Sequence, residues 1–279
     1  MNKKSVPIVL AQILFTLFIV ALIVITLYPF CWMFLNSFKS NAEVFQNPLS
    51  LPKKWNISIF LSAWNTYSIG TAFWNSLKIT VAVVCINLFS SSMAAFATSH
   101  LNFKGKAIFL SFCIGCQVVS VQTLLTSLFS LLKDINMYNT HMGLILVLTA
   151  FSLPMSVYLF NGFFKGVPKD LYESAAIDAC SNWQYYIKIL LPLSKPIIST
   201  VIIFQAMNTW NEFLMSMTFL RDSKLWTIPP LLNNIFSGRS QNYGMQFAAL
   251  AITVLPILLL YICLQKYFIK GLTAGAVKG

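Results

Sequence analysis

The amino-acid sequence predicts an all-α membrane protein with six transmembrane helices. Hydrophobic residues make up 57% of the 279 residues and charged residues only 9%, whereas charged residues form roughly 25% of an ordinary soluble domain. The mean hydropathy is +0.73. A bilayer solvates apolar surface of this extent, and about 20 apolar residues cross its hydrocarbon core once. The composition therefore excludes a soluble enzyme and favours a multi-pass membrane protein.

Long uncharged stretches of the chain predict where the helices lie, because each is long enough to cross a bilayer. Five stretches contain no Asp, Glu, Lys or Arg, namely residues 5–38, 79–103, 107–132, 135–164 and 240–265. A sixth, 196–220, is broken only by Glu212. We therefore expect one membrane domain over residues 1–279, with helices at about 8–36, 76–98, 107–131, 142–164, 197–219 and 245–267. The first stretch exceeds the apolar region of about 7 to 15 residues in a signal peptide, so we expect it to remain as the first helix.

The basic residues predict the orientation in the membrane. The formal net charge is +12, but no basic cluster is interleaved with aromatic residues as in nucleic-acid-binding proteins, so the charge indicates contact with anionic lipid. If both termini lie in the cytoplasm, 11 of the 19 Lys and Arg residues lie on the cytoplasmic side and 8 lie outside. The positive-inside rule therefore predicts cytoplasmic termini.

The six cysteines do not form the framework of a disulfide-rich secreted domain. Cys113 and Cys116 form a C-x-x-C pair, but no His or carboxylate lies near them in the sequence. A zinc or redox site needs further ligands or an electropositive, wetted setting. We therefore expect packing thiols and no metal site.

The second cytoplasmic loop, residues 165–195, is predicted to be helical. Pro168 suits a first helical turn, and Asp170 and Glu173 follow it near the positive end of the helix dipole. We expect two short helices joined near residues 179–181, with Glu173 in the first turn. The alternative is an amphipathic helix lying on the membrane, but a surface of exposed alanines has no bulky anchor for lipid. The pattern favours close approach of another protein.

The sequence of this loop, LYESAAIDACSNWQYYIKILLPLSKP, resembles the EAA loop of permease subunits of ATP-binding-cassette importers. The motif's glutamate, small pair and aspartate fall on Glu173, Ser174 and Ala175, and Asp178. The resemblance covers nearly the whole chain and is specific to the carbohydrate-uptake branch, above all to the G-type permease subunit of maltose systems. Its other segments are FKSNAEVFQNPLSLPKKW, the Asn75 and Ser76 pair, AAFATSHLNFKGKAIF, TWNEFL and the tail GLTAGAVKG.

Two departures from the family pattern affect local geometry. Ala179 stands where the EAA loop normally has glycine, so a left-handed turn there would be strained by roughly 1 kcal/mol or more. Gln117 and Gln122 stand where relatives commonly carry prolines. We therefore expect a straighter third helix than in those relatives.

The resemblance implies a type I importer permease fold with a cytoplasmic EAA coupling helix. It also implies a second, homologous permease subunit, a dimeric cytoplasmic ATPase and an extracytoplasmic sugar-binding protein as partners. The residues implied in ATPase coupling are Glu173, Ser174, Ala175, Asp178 and Ala179 in the loop, and Gly271, Thr273 and Gly275 in the tail. The chain lacks a G-x-x-x-x-G-K-[ST] phosphate loop. We therefore expect no enzymatic activity and no cofactor in this chain, with ATP and Mg bound by the partner ATPase.

The fifth predicted helix carries a polar stripe that predicts the solute pathway. Gln205, Asn208 and Glu212 follow at spacings of three and four residues and so share one helix face. Glu212 lies about 24 Å along a helix from Pro196, toward the outer side. It either shapes the outer cavity and the contact with the binding protein or caps and pairs structurally.

The neighbouring Trp210 and Asn211 could hold a sugar by stacking and hydrogen bonding. The alternative for Trp210 is anchoring at the membrane interface, and we favour that alternative. All five residues of this segment (Gln205, Asn208, Trp210, Asn211, Glu212) remain candidates for the pathway.

The sequence therefore predicts a permease subunit of an ATP-driven sugar importer in the bacterial cytoplasmic membrane, forming half of the translocation pathway. An importer of glycerol phosphate or an osmolyte is the nearest alternative, but a phosphate favours cationic residues and the helices hold almost none. A self-contained secondary transporter would show an inverted repeat and charged residues at mid-membrane, and neither is visible. An intramembrane enzyme would need paired acids or a nucleophile with its base.

Overall fold

The protein is helical throughout the part of the chain that the structure describes. The computed structural model describes residues 6–238 and 242–276, with the side chains of residues 11–238, 242–263 and 265. These residues contain no strand. The α-helices are α1 (Val6–Asn36), α2 (Asn41–Gln46), α3 (Ser58–Thr66), α4 (Ile69–His100), α5 (Lys106–Cys116), α6 (Val121–Asp134), α7 (His141–Phe164), α8 (Lys169–Ile177), α9 (Asn182–Tyr185), α10 (Leu191–Leu193), α11 (Lys195–Trp210), α12 (Leu214–Phe219), α13 (Ile228–Ser237) and α14 (Tyr243–Ala276). A π-helical turn at Tyr186–Leu190 joins α9 to α10, and a 3-10 turn lies at Ser223–Leu225.

Several helices are long and apolar enough to cross a membrane. Among the described residues four do so singly: Ala11–Asn36, Ile69–His100, His141–Phe164 and Tyr243–Cys263. Two helix pairs meet the same criterion together but are bent, Lys106–Cys116 with Val121–Asp134 by 102° and Asn182–Leu193 with Lys195–Trp210 by 76°. If each bent pair is one crossing, the number is six, as the sequence predicts.

The predicted third helix is not straight, and whether it is straighter than in relatives stays a prediction. The predicted segment 107–131 is divided between α5 and α6, which meet at 102°. No proline causes the bend. Residues 117–119 instead form hydrogen bonds from i to i−3, which tighten the end of α5, and Ser120 then takes an extended conformation with ψ 132°. The adjacent Val118 and Val119 are β-branched and favour this departure from the helix.

The predicted fifth helix, 197–219, is also interrupted. The chain leaves helical geometry after α11 and forms α12 only from Leu214 onward. The break at residues 211–213 follows directly on the polar stripe. The helix is therefore interrupted beside the candidate pathway residues.

The chain divides into two units, and the first contains Met1–Ile69 and Asn234–Val254, of which residues 6–69, 234–238 and 242–254 are described. The side chains of α1 from residue 11 to residue 31 are exposed, as expected for an apolar helix surrounded by lipid. Rings of Trp32 and Phe247 meet edge to face at 5.1 Å between centroids. Gly244 lies so close to Lys39 that an added Cβ would be 2.3 Å from the Lys39 carbonyl oxygen, so only glycine fits there.

The buried Lys39 organises the chain that follows α1. Its side chain is fully buried, and Nζ donates to the carbonyl oxygens of Asn47 at 3.0 Å and Pro48 at 3.2 Å. The Asn36 Nδ2 also donates to the Pro48 carbonyl, at 3.2 Å. These bonds close residues 36–48 into a loop, which includes the first part of the family segment FKSNAEVFQNPLSLPKKW.

The second unit contains Gly70–Asn233 and Leu255–Gly279, of which residues 70–233 and 255–276 are described. Its core consists of two clusters at the two ends of α4 and α7. The first cluster joins the N-terminal halves of α4 and α7 to α12 and includes Ile79, Val83, Leu144, Leu148 and Phe219. The second joins the C-terminal halves of α4 and α7 to α8, the π-helical turn and α11, and includes Phe96, Phe160, Phe164, Tyr186 and Leu190.

Candidate coupling helix and solute pathway

The inward face of α8 is fixed to the second cluster. Ala175 is buried in that cluster, and Tyr172 and Cys180 pack against it. The Tyr172 ring meets the rings of His100 at 5.5 Å and Tyr185 at 5.0 Å between centroids. A short exposed helix gains little stability by itself. These aromatic contacts therefore determine where α8 lies.

The outward face of α8 carries most of the residues that the EAA resemblance implies in coupling. Glu173, Ser174, Asp178 and Ala179 are exposed, whereas Ala175 is buried. Ala175 therefore backs the surface rather than forming it. Ile177 is 85% exposed, which places one large apolar side chain beside the acidic ones. We call the exposed residues Glu173, Ser174, Ala176, Ile177, Asp178 and Ala179 the α8 surface.

The predicted position of Glu173 in the first turn of this helix is wrong. Because α8 begins at Lys169, the first-turn acid is Asp170, and Glu173 lies in the second turn. The field of the helix dipole falls off within the first turn. Stabilisation of its own helix is therefore a weaker explanation of Glu173 than the sequence suggested.

The turn after α8 is left-handed at Ala179, where φ is +55°. The Ala179 N–H donates to the Ala176 carbonyl at 3.1 Å, and the Cys180 N–H donates to the Ala175 carbonyl at 2.9 Å. This pair of bonds is the Schellman motif, in which glycine normally occupies the left-handed position. The expected strained turn is therefore present, with alanine in it.

The chain then enters α9 through a capping box. The Ser181 hydroxyl accepts from the Gln184 N–H at 3.2 Å, and the Gln184 Oε1 accepts from the Ser181 N–H at 2.9 Å. The Tyr172 hydroxyl donates to the Asn182 Oδ1 at 2.7 Å. The predicted arrangement of two short helices joined near residues 179–181 is confirmed, and this hydrogen bond ties the two helices together.

The coupling residues predicted in the tail are only partly described. The helix α14 continues through Gly271, Thr273 and Gly275 to Ala276. The surroundings of these three residues lie outside the described part of the structure. Their part in coupling stays a prediction.

The polar stripe of α11 lines a cavity within the second unit. This cavity has a volume of about 380 Å³. Gln205 and Asn208 line it, as does Glu212 in the break after the helix. Gln205 is buried, Glu212 is half-buried and Asn208 is exposed. The structure therefore brings these three predicted residues together at one cavity.

Trp210 and Asn211 do not line this cavity. Trp210 is buried, and its ring meets that of Phe73 edge to face at 5.7 Å. Asn211 is exposed, and its Nδ2 donates to the Met207 carbonyl at 2.9 Å. Trp210 therefore packs inside the protein, which is neither the sugar contact nor the membrane-interface anchor that the sequence suggested.

Glu212 caps a helix, which is one of the two alternatives that the sequence left open, and it also lines the cavity. One carboxylate oxygen accepts the Met215 N–H at 2.7 Å, and the other accepts the Ser216 N–H at 2.8 Å and the Ser216 hydroxyl at 3.0 Å. A carboxylate at this position satisfies N–H groups that have no partner inside α12. It thereby fixes the start of α12 at the cavity.

The cavity contains polar residues that sequence reasoning missed. Gln117 comes from the bend between α5 and α6, Ser152 from α7 and Thr209 from α11. Each lies in a different predicted helix or in a turn that the sequence did not predict. The signal that could have found Thr209 was its spacing of four residues from Gln205.

The Asn75 and Ser76 pair, noted in the sequence only as a family resemblance, has a structural explanation. The Asn75 Nδ2 donates to the carbonyl oxygens of Lys224 at 2.9 Å and Trp226 at 3.1 Å. The Ser76 hydroxyl accepts the Ile228 N–H at 2.9 Å. The pair therefore holds the segment before α13 against α4, at the end opposite to α8.

Comparison with known proteins places the chain among transport permeases. It is 36% identical over 252 residues to the probable ABC transporter permease protein YurM of Bacillus subtilis, covering 90% of this chain and 84% of that protein. It is 30% identical to the diacetylchitobiose uptake system permease protein NgcG of Streptomyces coelicolor, over 91% of this chain and 85% of that protein. It is 31% identical to the arabinooligosaccharides transport system permease protein AraQ of Halalkalibacterium halodurans, over the full length of both chains.

The fold is also that of a chain in a known ABC transporter. A chain in the crystal structure of a bacterial ABC transporter involved in the import of the acidic polysaccharide alginate superposes with a TM-score of 0.82, covering 96% of this chain and 99% of that one at 20% identity. The predicted all-α importer permease fold is confirmed.

A family profile matches most of the chain. The family described as binding-protein-dependent transport system inner membrane component matches residues 86–274. Its members are membrane components of transport systems, which confirms the prediction that this chain is a transport subunit and not an enzyme. The chain belongs to the family of inner membrane components of binding-protein-dependent transport systems.

Proposed function

We propose that this chain is one of two permease subunits of an ATP-driven sugar importer and that the α8 surface is its docking site for the ATPase. The complex would contain a second permease, a dimeric ATPase that binds ATP and Mg, and an extracytoplasmic sugar-binding protein. Two relatives of this chain carry the names of permeases for diacetylchitobiose and arabinooligosaccharides. These names support a carbohydrate as the solute.

The observation that carries the docking proposal is the contrast between the two faces of α8. Its inward face is fixed to the second cluster through Tyr172 and Ala175, while its outward face exposes Glu173 and the 85% exposed Ile177. A rigid element with an unburied apolar side chain and a charge beside it has the composition of an interface centre and its rim. A force on this surface would be transmitted to α4, α7 and α11, which the cluster joins.

The same proposal implies an orientation of the chain in the membrane. If α8 meets a cytoplasmic ATPase, then the C-terminal end of α4 and the N-terminal end of α11 lie on the cytoplasmic side, since both contribute to the second cluster. This orientation agrees with the 11 to 8 bias of basic residues. It places both termini in the cytoplasm and the Asn75 and Ser76 pair toward the outside.

The test is reconstitution of the complete importer in proteoliposomes with its binding protein and a panel of mono- and oligosaccharides. We expect ATP-dependent uptake of at least one saccharide and stimulation of ATP hydrolysis by the loaded binding protein. Uptake of glycerol phosphate or an osmolyte in place of every saccharide would contradict the proposed substrate class.

A further inference from the structure

The cavity on the polar stripe has the size of a small-molecule site. Its volume of about 380 Å³ lies in the range of roughly 300 to 1,000 Å³ that is typical of ligand pockets. It is bounded on one side by the bend between α5 and α6, through Cys116, Gln117 and Val119, and on the other by α7, α11 and Glu212. The bend of the third predicted helix therefore forms one side of the cavity.

One buried amide in this cavity has an unused hydrogen-bond acceptor. Gln205 is 2% exposed, and its Nε2 donates to the Thr209 hydroxyl at 3.2 Å. Its Oε1 is buried and has no hydrogen-bond partner. Buried polar atoms are nearly always paired, and an unpaired one calls for a water or a ligand. A solute hydroxyl in the cavity would supply the missing donor once the Gln205 amide turns toward it.

The remaining lining suits a polyhydroxylated, partly apolar solute. Gln117 and Asn208 offer amides, which can both donate and accept. The Ser152 hydroxyl also lines the cavity, but it already donates to the Thr149 carbonyl at 3.1 Å and accepts from the Asn87 Nδ2 at 2.9 Å. Phe151 and Phe204 add aromatic surface beside them. Sugar rings have hydroxyls at their edges and C–H groups on their faces. Such a ring can use both kinds of surface at once.

The charge of the lining distinguishes neutral from acidic solutes. Glu212 is the single charged residue among the residues that line the cavity, and no Lys or Arg lies among them. Its carboxylate is already stabilised by three hydrogen bonds from Met215 and Ser216. A second anion close to it in a poorly solvated space would be repelled without a compensating cation.

We infer that this cavity is a subsite for an uncharged saccharide, in which the Gln205 Oε1 accepts a solute hydroxyl and the Glu212 carboxylate disfavours acidic sugars. The inference rests on the proposed function as a sugar importer. It adds that this chain contacts the solute directly and names the class of sugar.

Cys116 provides a reporter inside the cavity. Its thiol is partly exposed and lines the cavity. In the reconstituted importer, with the other five cysteines replaced by alanine, uncharged N-ethylmaleimide would alkylate Cys116. We expect the neutral saccharide that the importer transports, at about four times its Kd, to slow this reaction about fivefold by occupying the site. The rate is measured in the nucleotide-free and the nucleotide-bound complex, and slowing in either one supports the inference.

Two controls accompany this measurement. A variant that retains Cys85 instead, which is exposed on α4, is expected to react at the same rate with and without saccharide. A derivative of the same saccharide with one terminal unit oxidised to a uronate is expected to leave the Cys116 rate unchanged at the same concentration. Equal slowing by the uronate would overturn the exclusion of acidic sugars.

Gln205→Leu tests the acceptor. We expect it to raise the KM for uptake of the neutral saccharide by about two- to tenfold, as for loss of one hydrogen bond. Thr200→Val is the matched control, since Thr200 is buried on the same helix and does not line the cavity. We expect its KM to equal that of the wild type.

The outcomes separate the two proposals. If the wild-type complex transports no saccharide, the proposed function fails. If it transports a saccharide but Cys116 is not protected in either state and Gln205→Leu leaves KM unchanged, only the subsite is overturned.

Discussion

The main-chain N–H of Cys180 donates a 2.9 Å hydrogen bond to the carbonyl oxygen of Ala175, and this bond requires the left-handed conformation of Ala179 between them. Left-handed geometry costs an L-residue with a Cβ roughly 1 to 2 kcal/mol. Ala179→Gly would relieve this strain, but glycine gains conformational freedom in the unfolded chain, which offsets part of the gain. We therefore expect Ala179→Gly to stabilise the protein by up to about 1 kcal/mol. The measurement is the thermal unfolding midpoint of the purified protein in detergent.

Ala176→Gly serves as the control for this variant. Ala176 is exposed in the interior of α8, where glycine is unfavourable by about 1 kcal/mol. The two substitutions are chemically identical and lie three residues apart, so we expect opposite signs. A lower midpoint for both variants would contradict the account of the turn.

Glu173→Lys tests the α8 surface. If Glu173 meets a cation of the ATPase in a desolvated contact, inversion of the charge should cost several kcal/mol and release the ATPase. The measurement is pull-down of the ATPase by the variant permease, alongside uptake.

Asp170→Lys is the comparison for Glu173→Lys, since Asp170 is the acid in the first turn of the same helix. Its replacement removes more of the helix-dipole stabilisation, about 0.3 to 1 kcal/mol. Retention of the ATPase and normal uptake by Glu173→Lys would show that this residue is not at the docking contact.

Gly143 and Gly162 form a matched pair on α7. A Cβ on Gly143 would lie 2.2 Å from the Met137 carbonyl oxygen, whereas a Cβ on Gly162 would meet nothing within 4 Å. Gly143→Ala should therefore destabilise the protein by about 1 to 3 kcal/mol through overpacking. Gly162→Ala should stabilise the helix by up to about 1 kcal/mol. The measurement is the thermal unfolding midpoint of each variant relative to the wild type. Equal shifts for the two variants would contradict the close approach of Gly143 to Met137.

The buried Lys39 should make the stability of the protein depend on pH in the alkaline range. Burial lowers the pKa of the Lys39 ammonium below its usual 10.5, and the nearby Glu43 offsets part of this effect. Between the lowered pKa and 10.5 the unfolded chain binds more protons than the folded chain, so stability should rise with pH over that interval. Below the lowered pKa this contribution should be constant and at its smallest.

Lys39→Met should remove this rise without leaving the loop carbonyls unpaired, because Ser50 still donates to Asn47 and Asn36 still donates to Pro48. The measurement compares unfolding midpoints from pH 8 to 10.5. Lys54→Met, at an exposed position, is the control and should retain the rise. An equally steep profile for Lys39→Met would assign the dependence to another group.

The sequence predicted the positions of helices well where these depend on composition alone. It predicted bends and breaks in the helices less well, because these depend on backbone hydrogen bonds. Uncharged stretches locate α1, α4, α7 and α14, because only apolar residues fit the hydrocarbon core. The bend at Ser120 and the break after Trp210 contain neither proline nor glycine. Both depend on side-chain and turn contacts, including the Glu212 cap, and residue spacing does not reveal such contacts.

The site was predicted residue by residue with uneven success for the same reason. Helical spacing correctly placed Gln205, Asn208 and Glu212 on one side of the chain. It did not indicate that Trp210 turns toward Phe73 or that Gln117 joins the cavity from a bend elsewhere. The spacing of residues in one helix indicates which of them share a face. The residues that pack against that face depend on tertiary packing, which the spacing does not indicate.

The two long helices that connect the clusters of the second unit differ in stiffness. The helix α4 has 32 residues, a rod of about 48 Å at 1.5 Å per residue, whereas α7 contains Pro154 and lacks one main-chain hydrogen bond at its middle. A tilt applied to α4 near His100 is therefore transmitted toward Asn75 and Ser76 along a continuous helix, whereas α7 can flex at Pro154 and absorb part of it. Equal displacements of α4 and α7 at the end near α8 would therefore become unequal displacements at the other end, and the two helices would slide past each other.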